Sequence, residues 1–454
     1  MDGQDKSIIA RDTIAAVSSG TMAAAIAVIR VSGSQAGAAV RALAGRLPEP
    51  RRALLARLRH PVSGERLDEG LVLWFPGPAS ATGEDMAEFQ VHGGRAVVAA
   101  VLDALFAVPG IVPAERGDFT RRAWLNGKMD LTEAEGLADL IAAETEAQRR
   151  QALAHAFGHL GRQVEVWRGW LIRAMALVEA GIDFADEDDV PSEARALARP
   201  EVVMLLAELE AALADRRGAM VREGASIAIA GRPNAGKSSL MNALALREVA
   251  IVSDEPGTTR DVLEVALDLG GYKATLIDTA GLREAEGKVE AEGIRRAQQR
   301  ISKADLVLWV HDLSGPEAPE IAIDSEAEFW LLGNKADLTA GTPVLNDPRV
   351  SRRFELSVAT GAGLDELTAA LETFVAARAQ QGGEHPALIR ARQREAATLA
   401  ISHLKAALDG WDGLSEELLA EELRLAGRAL ASITGRIGVE DLLDVVFREF
   451  CIGK

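Results

Sequence analysis

The chain has 454 residues, 48% hydrophobic and 26% charged, room for roughly three domains with apolar cores. Its formal net charge of −18 argues against a broad nucleic-acid-binding surface, though not against a local basic patch. The single cysteine, Cys451, excludes an intrachain disulfide framework and a cysteine-rich zinc site, and the seven histidines show no metal-ligand spacing, so a reducing, cytoplasmic setting is expected.

Met1–Ser7 is polar and mixed in charge, and apolar runs such as Ala23–Ile29 fall well short of the ~20 residues of a membrane span. Neither a signal peptide nor a membrane partner is expected. Up to about residue 125, short β-rich runs (Ala25–Val31, Gly70–Phe75, Ala87–Val91) alternate with glycine and proline turns, which predicts a small α+β domain. From Leu131 the period turns helical, with Leu131, Ala134, Leu137, Ala138 and Ile141 on one face.

Between about residues 224 and 380 short apolar strands alternate with helices, as in a parallel sheet wrapped by helices. The strands are Ser226–Ala230, Ala274–Ile277, Leu306–Val310, Phe329–Leu332 and Phe354–Leu356, and Gly270-Gly271 reads as a hairpin turn. Beyond residue 382 helices return, with Leu418, Leu419, Glu422, Leu423, Ala426 and Leu430 at helical spacing. The two helical stretches are expected to pack on each other, making the α/β unit an insertion in one helical domain.

Gly231-Arg-Pro-Asn-Ala-Gly-Lys237-Ser238 matches G-x-x-x-x-G-K-[ST] between an apolar strand and a helix over Ser239–Leu246, the context this phosphate loop requires. Lys237 is expected to reach the β- and γ-phosphates of a nucleotide and Ser238 to bind Mg2+. Asp278-Thr-Ala-Gly281 follows the next core strand; its carboxylate suits a Mg2+-bound water and the Gly281 N–H suits the γ-phosphate. Asn334-Lys335-Ala336-Asp337 supplies a carboxylate able to accept from guanine N1–H and its exocyclic amine, a donor pair adenine lacks. Ser357-Val358-Ala359 is placed to support the base, and Thr259 in Gly257–Asp261 is the candidate for the second Mg2+ hydroxyl. The pattern reads as a GTPase.

Many GTPases place a water-positioning glutamine after D-x-x-G; here that position is Leu282, so another group must act. By residue type alone, Asn234 is either a ligand to a monovalent cation or the cap of a turn, and Glu290 is a solvated glutamate in a charged stretch.

Beyond these motifs the sequence resembles the MnmE (TrmE) family of tRNA uridine-5-carboxymethylaminomethyl modification GTPases over essentially its whole length. The resemblance rests on Asp12-Thr-Ile-Ala-Ala, Ile29-Arg30-Val31-Ser32-Gly33, Thr82-Gly-Glu-Asp85, His92-Gly-Gly94 and Phe119–Leu131. It also rests on Glu179–Phe184, Gly231–Leu240, Gly257–Asp261, Asp278–Arg283, Leu418–Ala426 and the terminal Cys451-Ile-Gly-Lys454. It implies a multidomain fold: an N-terminal α+β folate-binding and dimerisation domain (1–127), an all-α helical domain (128–222 and 381–454), and an inserted α/β P-loop, Ras-like GTPase domain (223–380). The implied protein is a homodimer that joins the flavoprotein MnmG (GidA) in a heterotetramer or larger complex. Together they would add an aminomethyl or carboxymethylaminomethyl group to C5 of the wobble uridine, U34, of certain tRNAs. A 5-formyltetrahydrofolate or related tetrahydrofolate would be the one-carbon donor, and FAD and NADH would belong to the partner.

The same resemblance implies GTP contacts at Asn234, Ala235, Gly236, Lys237, Ser238 and Ser239, then at Ser253, Thr258 and Thr259. Further contacts follow at Asp278, Thr279, Ala280 and Gly281, at Asn334, Lys335 and Asp337, and at Ser357 and Ala359. It implies Mg2+ at Ser238 and Thr259, and K+ at Asn234, Ser253, Glu255 and Thr258, although Glu255-Pro256 departs from the family's commoner Ile-Ala. Hydrolysis would be K+-activated through dimerisation of two GTPase domains, with Glu290 as the catalytic residue. Folate would meet Arg30, Glu88, Lys128 and Lys454, beside a turn that reads Ser18-Ser-Gly-Thr-Met22 where the family commonly has Pro-Gly or Gly-rich residues. Cys451 is then either a thiolate nucleophile toward C6 of uridine or a small residue packed beside the folate. The competing class, an RNA-binding ribosome-assembly GTPase, would bring a KH domain or a second P-loop, and the sequence carries neither.

Overall fold

A computed structural model describes residues 12–20, 24–183, 190–249, 264–278, 304–315, 327–338, 347–380, 387–436, 446–447, 450 and 452–453. They divide into two compact units: Met1–Ala138, His155–Val202 and Ser402–Lys454 form the first, and Asp139–Ala154 with Val203–Ile401 form the second. Ser253, Glu255, Thr258, Thr259, Thr279, Ala280, Gly281, Leu282, Glu290, Cys451 and Lys454 lie outside the described residues.

The first unit is built on β1 (Thr13–Val17), β2 (Ile26–Ser32), β3 (Leu54–Arg59), β4 (Arg66–Phe75), β5 (Met86–His92) and β6 (Ile111–Pro113), in the order β3-β4-β5-β2-β1-β6. Alternation decides its two faces. Ala15, Ile29, Val31, Val72, Trp74, Phe89 and Val91 point to one side and are sealed by Val40 and Leu43 of α1 (Ala36–Ala44) and Val101 and Leu105 of α2 (Arg95–Phe106). Their partners in the alternation, Ile14, Ala16, Arg30 and Glu88, take the other side, where α3 (Asp118–Leu125) lays Phe119 on Ile14 and Ala16.

Helices α4 (Leu131–Ala142), α5 (Glu146–Ala156), α6 (His159–Asp183) and α7 (Val190–Ala214) follow. In α6 the buried residues Leu160, Val164, Trp167, Leu171, Ala174 and Val178 recur three or four apart, a continuous helical stripe.

The second unit contains α8 (Arg217–Glu223), β7 (Ala225–Gly231), α9 (Lys237–Leu244), β8 (Glu264–Leu269), β9 (Tyr272–Asp278), β10 (Leu306–Asp312), β11 (Glu328–Asn334), β12 (Val350–Glu355) and α10 (Leu364–Gln380). The strand order is β12-β11-β10-β7-β9-β8, all neighbours parallel except the β8–β9 hairpin. Ile227, Leu276, Leu308 and Trp330 face one layer with α9 and α10, while Ala228, Val307, Trp309 and Phe329 line the opposite face. The predicted parallel sheet and the Gly270-Gly271 turn are therefore present, with the last strand running from Val350 to Glu355 where Phe354–Leu356 was expected.

The chain then enters α11 (Ala391–Asp409) and α12 (Glu416–Ile433). Helix α12 packs on α6, with Arg424 reaching Glu179 at 3.4 Å, so the two helical stretches do meet across the insertion. Two residues assigned to apolar faces turn outward: Ile141 is 42% and Leu418 57% exposed, because each sits just off the stripe its neighbours define. Strands β1, β3 and β6 are absent from the expected elements; β1 and β6 are short and carry little period-2 contrast, and β3 alternates apolar and charged residues only over its last four positions, Ala56 to Arg59. Among the described residues no helix is long and apolar enough to cross a membrane.

Candidate functional site

The phosphate loop leaves β7 at Gly231 and enters α9 at Lys237. Two residues give it its curl. Gly236 has φ +97°, and a Cβ there would lie 2.2 Å from Nδ2 of Asn334; Asn234 has φ +62°, a conformation asparagine tolerates better than most side chains. The loop thus ends with backbone N–H groups at a helix N-terminus, an anion-binding arrangement. Lys237 is buried, and its Nζ donates to the carbonyls of Gly231 (3.0 Å) and Arg232 (2.8 Å), so the ammonium is held across the loop.

The Ser238 hydroxyl donates to Oδ2 of Asp278 at 3.0 Å. Asp278 is the buried last residue of β9, beside β7, where it pairs in register with Ile229. A hydroxyl and a carboxylate converging at the phosphate loop are hard oxygen donors, the set Mg2+ prefers. Ser239 is exposed at the second position of α9 after Lys237, and Ala235 is buried beneath the loop.

The Asn334–Asp337 motif closes the far side. Asn334 is 3% exposed; its Nδ2 donates to the Ala235 carbonyl at 2.9 Å and its Oδ1 accepts the Val358 N–H at 3.2 Å. This side chain is therefore a strap between the phosphate loop and the loop after β12. Lys335 adopts φ +64° and its Nζ bonds Oδ2 of Asp312 at 2.5 Å. Asp337 stands exposed in a one-turn 3-10 helix (Ala336–Leu338), with its carboxylate open to solvent. Ser357 is buried, its hydroxyl accepting the Thr360 N–H, and Ala359 is exposed two residues on.

Asp312 was not anticipated from sequence; only its place at the end of an apolar strand marks it. Burial pushes its carboxyl upward, but the bonds from Lys335 and Ser314 outweigh this and hold it at about 2. Its neighbour His311 is shifted down by burial, with Asp312 opposing and Arg232 assisting, which favours the neutral ring.

A second cluster lies in the first unit. Arg30 donates from Nε (3.1 Å) and Nη2 (2.9 Å) to one carboxylate oxygen of Glu88, directly across the β2–β5 pair, with Phe119 beneath the guanidinium at 5.8 Å. Beside it the Ser32 hydroxyl meets Thr82 (2.7 Å) and Glu84 (2.8 Å), and Arg122 donates to Glu84 at 2.9 Å and to the Asp12 carbonyl at 2.9 Å. The network around Arg122 also escaped the sequence reading, although Thr82–Asp85 and Phe119–Leu131 carry it. Lys128 is exposed on the turn after α3, its stem beside Gly83 of the loop between β4 and β5. The paired cation and carboxylate suit a ligand bearing both a glutamyl carboxylate and ring N–H donors.

The C-terminal residues dock on this unit. Phe447 and Phe450 are buried against Ala134, Ile452 forms an antiparallel bridge with Arg116, and the Gly453 carbonyl accepts from the Ser18 hydroxyl. Gly453 has φ +95°, and a Cβ on it would lie 1.9 Å from the Val17 carbonyl, so only glycine fits at this approach. Cys451 and Lys454 flank these two residues.

Two family profiles cover the chain: one described as "GTP-binding protein TrmE N-terminus" matches residues 13–128, and one described as "MnmE helical domain" matches residues 131–451. The curated "tRNA modification GTPase MnmE" of Bradyrhizobium sp. (strain ORS 278) is 53% identical over 445 residues, spanning 97% of this chain and 99% of that protein. The proteins of the same description from Azorhizobium caulinodans and Parvibaculum lavamentivorans are 54% and 52% identical, each spanning 98% of this chain and 99% and 100% of theirs.

Proposed function

Because the chain belongs to the MnmE family of tRNA modification GTPases, we propose that GTP hydrolysis at the Gly231–Ser238 loop drives a conformational cycle used to modify C5 of the wobble uridine of tRNA. The observation that carries this reading is the convergence of Lys237, Ser238 and Asp278 with the Asn334–Asp337 turn, all on one edge of a single sheet. In this reading Lys237 meets the β- and γ-phosphates, Ser238 and Thr259 bind Mg2+, and Asp337 reads guanine. Mg2+ there supplies charge neutralisation of the phosphates. Thr279, Ala280, Gly281 and Ser253 complete the nucleotide contacts in this reading, and Glu290 takes the role that a glutamine in place of Leu282 would otherwise hold. Asn234, Ser253, Glu255 and Thr258 are the K+ ligands in this reading; of these Asn234 is described, exposed at the crest of the loop.

The tetrahydrofolate donor is assigned to Arg30, Glu88, Lys128 and Lys454. The docking of Gly453 on Ser18, one strand over from Arg30, supports bringing the C-terminal tetrapeptide to that site. Homodimerisation through the N-terminal domain is supported by the open face of its sheet, where Leu55 and Leu71, paired across β3 and β4, are 64% and 38% exposed. The domain limits 1–127, 128–222, 223–380 and 381–454, the MnmG partnership, cytoplasmic residence and a chemical or packing role for Cys451 complete the proposal.

The deciding experiment is the nucleoside composition of tRNA from cells lacking the protein. Loss of C5-modified wobble uridine is expected, and unchanged modification would overturn the reading. GTPase rates in K+ and Na+ test the cation separately; equal rates would remove Asn234 from its role.

A further inference from the structure

The inserted GTPase region joins the helices at two places along the chain, and one carboxylate grips both. Asp139, near the end of α4, accepts from Nε of Arg222 at 2.9 Å, just before β7 begins. It also accepts from Nη2 of Arg390 at 2.7 Å, just before α11 begins. Asp139 and Arg390 are 13% and 8% exposed, so these are largely dehydrated contacts. Helix α5 and the loop before it extend the grip. Gln148 donates to the Arg222 carbonyl at 2.9 Å, Glu144 accepts Nζ of Lys273 at 2.6 Å, and the Ala147 N–H donates to the Gly271 carbonyl at 2.9 Å.

Gly271 directly precedes β9, Lys273 is its second residue, and Asp278 closes it. The same strand therefore carries a candidate Mg2+-site carboxylate at one end and the contacts to α5 at the other. It is hydrogen-bonded on both sides, by β7 and by β8, and an extended strand so held moves as a rod. Around these pairs the packing is not solid: Asp139, Gln148, Gln151, Arg222 and Lys273 line a cleft of about 340 Å³. Ion pairs in such a setting add little net stability but define geometry, and they can be exchanged without opening an apolar core.

We propose that Asp139, Glu144 and Lys273 are positioning residues for tRNA modification: they form the joint through which a displacement of Asp278 in the nucleotide cycle reaches α4 and α5. This rests on the reading that GTP hydrolysis drives modification. The joint acts on the yield of that cycle and leaves the phosphate site itself untouched.

The test compares full-length Lys273→Glu, Glu144→Lys and the double swap, reading tRNA modification per GTP hydrolysed. This ratio does not depend on the fraction of protein folded. Each single change is expected to lower the ratio by about fivefold or more while hydrolysis stays within about twofold, and the double swap to restore it, as a coupling between two sites requires. Single variants with the unaltered ratio, or a double swap as low as the singles, would overturn the joint. Lys237→Ala separates the two claims. If it abolishes hydrolysis but not modification, the underlying reading fails. If it abolishes both while Lys273→Glu keeps the unaltered ratio, only the joint fails.

Discussion

The Asn334 side chain donates to the Ala235 carbonyl at 2.9 Å, so the Asn334–Asp337 motif and the phosphate loop are tied through one buried amide. Asn334 thus holds the phosphate loop and the loop after β12 in register. Asn334→Ala would leave the Ala235 carbonyl and the Val358 N–H without this partner in a buried setting, at a cost of about 1–3 kcal/mol each. Nucleotide affinity should fall by about tenfold or more, read by titration with a fluorescent GDP. Affinity within a factor of about two of the parent would show that the strap is dispensable.

Asp337 makes a prediction of a different kind, because it is exposed and free to face a base. In Asp337→Asn the carboxamide has one acceptor and one donor edge where the carboxylate had two acceptors. Guanine would lose a charge-assisted bond and face a donor against its amine, whereas xanthine offers a carbonyl at that position. GTP affinity should drop by about a hundredfold or more and XTP should be gained, as expected when a site built on polar pairing is mismatched. Competition between the two nucleotides measures it directly.

Gly453 should separate the two sites. A methyl group at this residue would meet the Val17 carbonyl at 1.9 Å, so Gly453→Ala must lift the C-terminal tetrapeptide from β1. Folate binding, measured calorimetrically on the purified chain, is expected to weaken, while nucleotide affinity should be retained. Undiminished folate binding would detach the tail from that site.

The Asp312–Lys335 pair carries a pH signature. A carboxyl held at about 2 contributes stability that is fully present above its unfolded value near ~3.9 and is lost as pH falls through about 2. The partners are 29% and 34% exposed, so the contribution is about 0–1 kcal/mol. The thermal midpoint of Asp312→Asn should therefore lie slightly below the parent's by a constant margin above about pH 5, closing toward pH ~2. A margin that changes between about pH 6 and pH 8 would assign the effect to another group, with His311 next in line.

Much of the site was legible in sequence because its chemistry is local. A strand, a glycine-containing loop and a helix N-terminus, contiguous from Ser226 to Leu244, form the phosphate cradle, which Asn334 and Asp278 then brace from farther along the chain. The five parallel strands of the six-stranded GTPase sheet were readable for a similar reason: β10 and β11 are buried along nearly their whole length, which writes a continuous apolar run into the chain. Edge and half-covered strands such as β3 and β6 write no such run and went unread.

By itself, then, the sequence determined the order of the elements, the GTPase motifs and the identity of the residues offered to phosphate, Mg2+ and guanine. Tertiary structure alone decided which of these became scaffold: Asn334 as a strap, Asp312 as the anchor of Lys335, and Arg122 as the tie between α3 and Glu84. It alone brought Gly453 to Ser18, 435 residues away, and Asp139 to Arg390, 251 residues away. The reason is physical. Period and turn chemistry report on neighbours within a helix turn or a hairpin, whereas the partner of a buried charge or a docked glycine is chosen by how the sheets and helices close on one another.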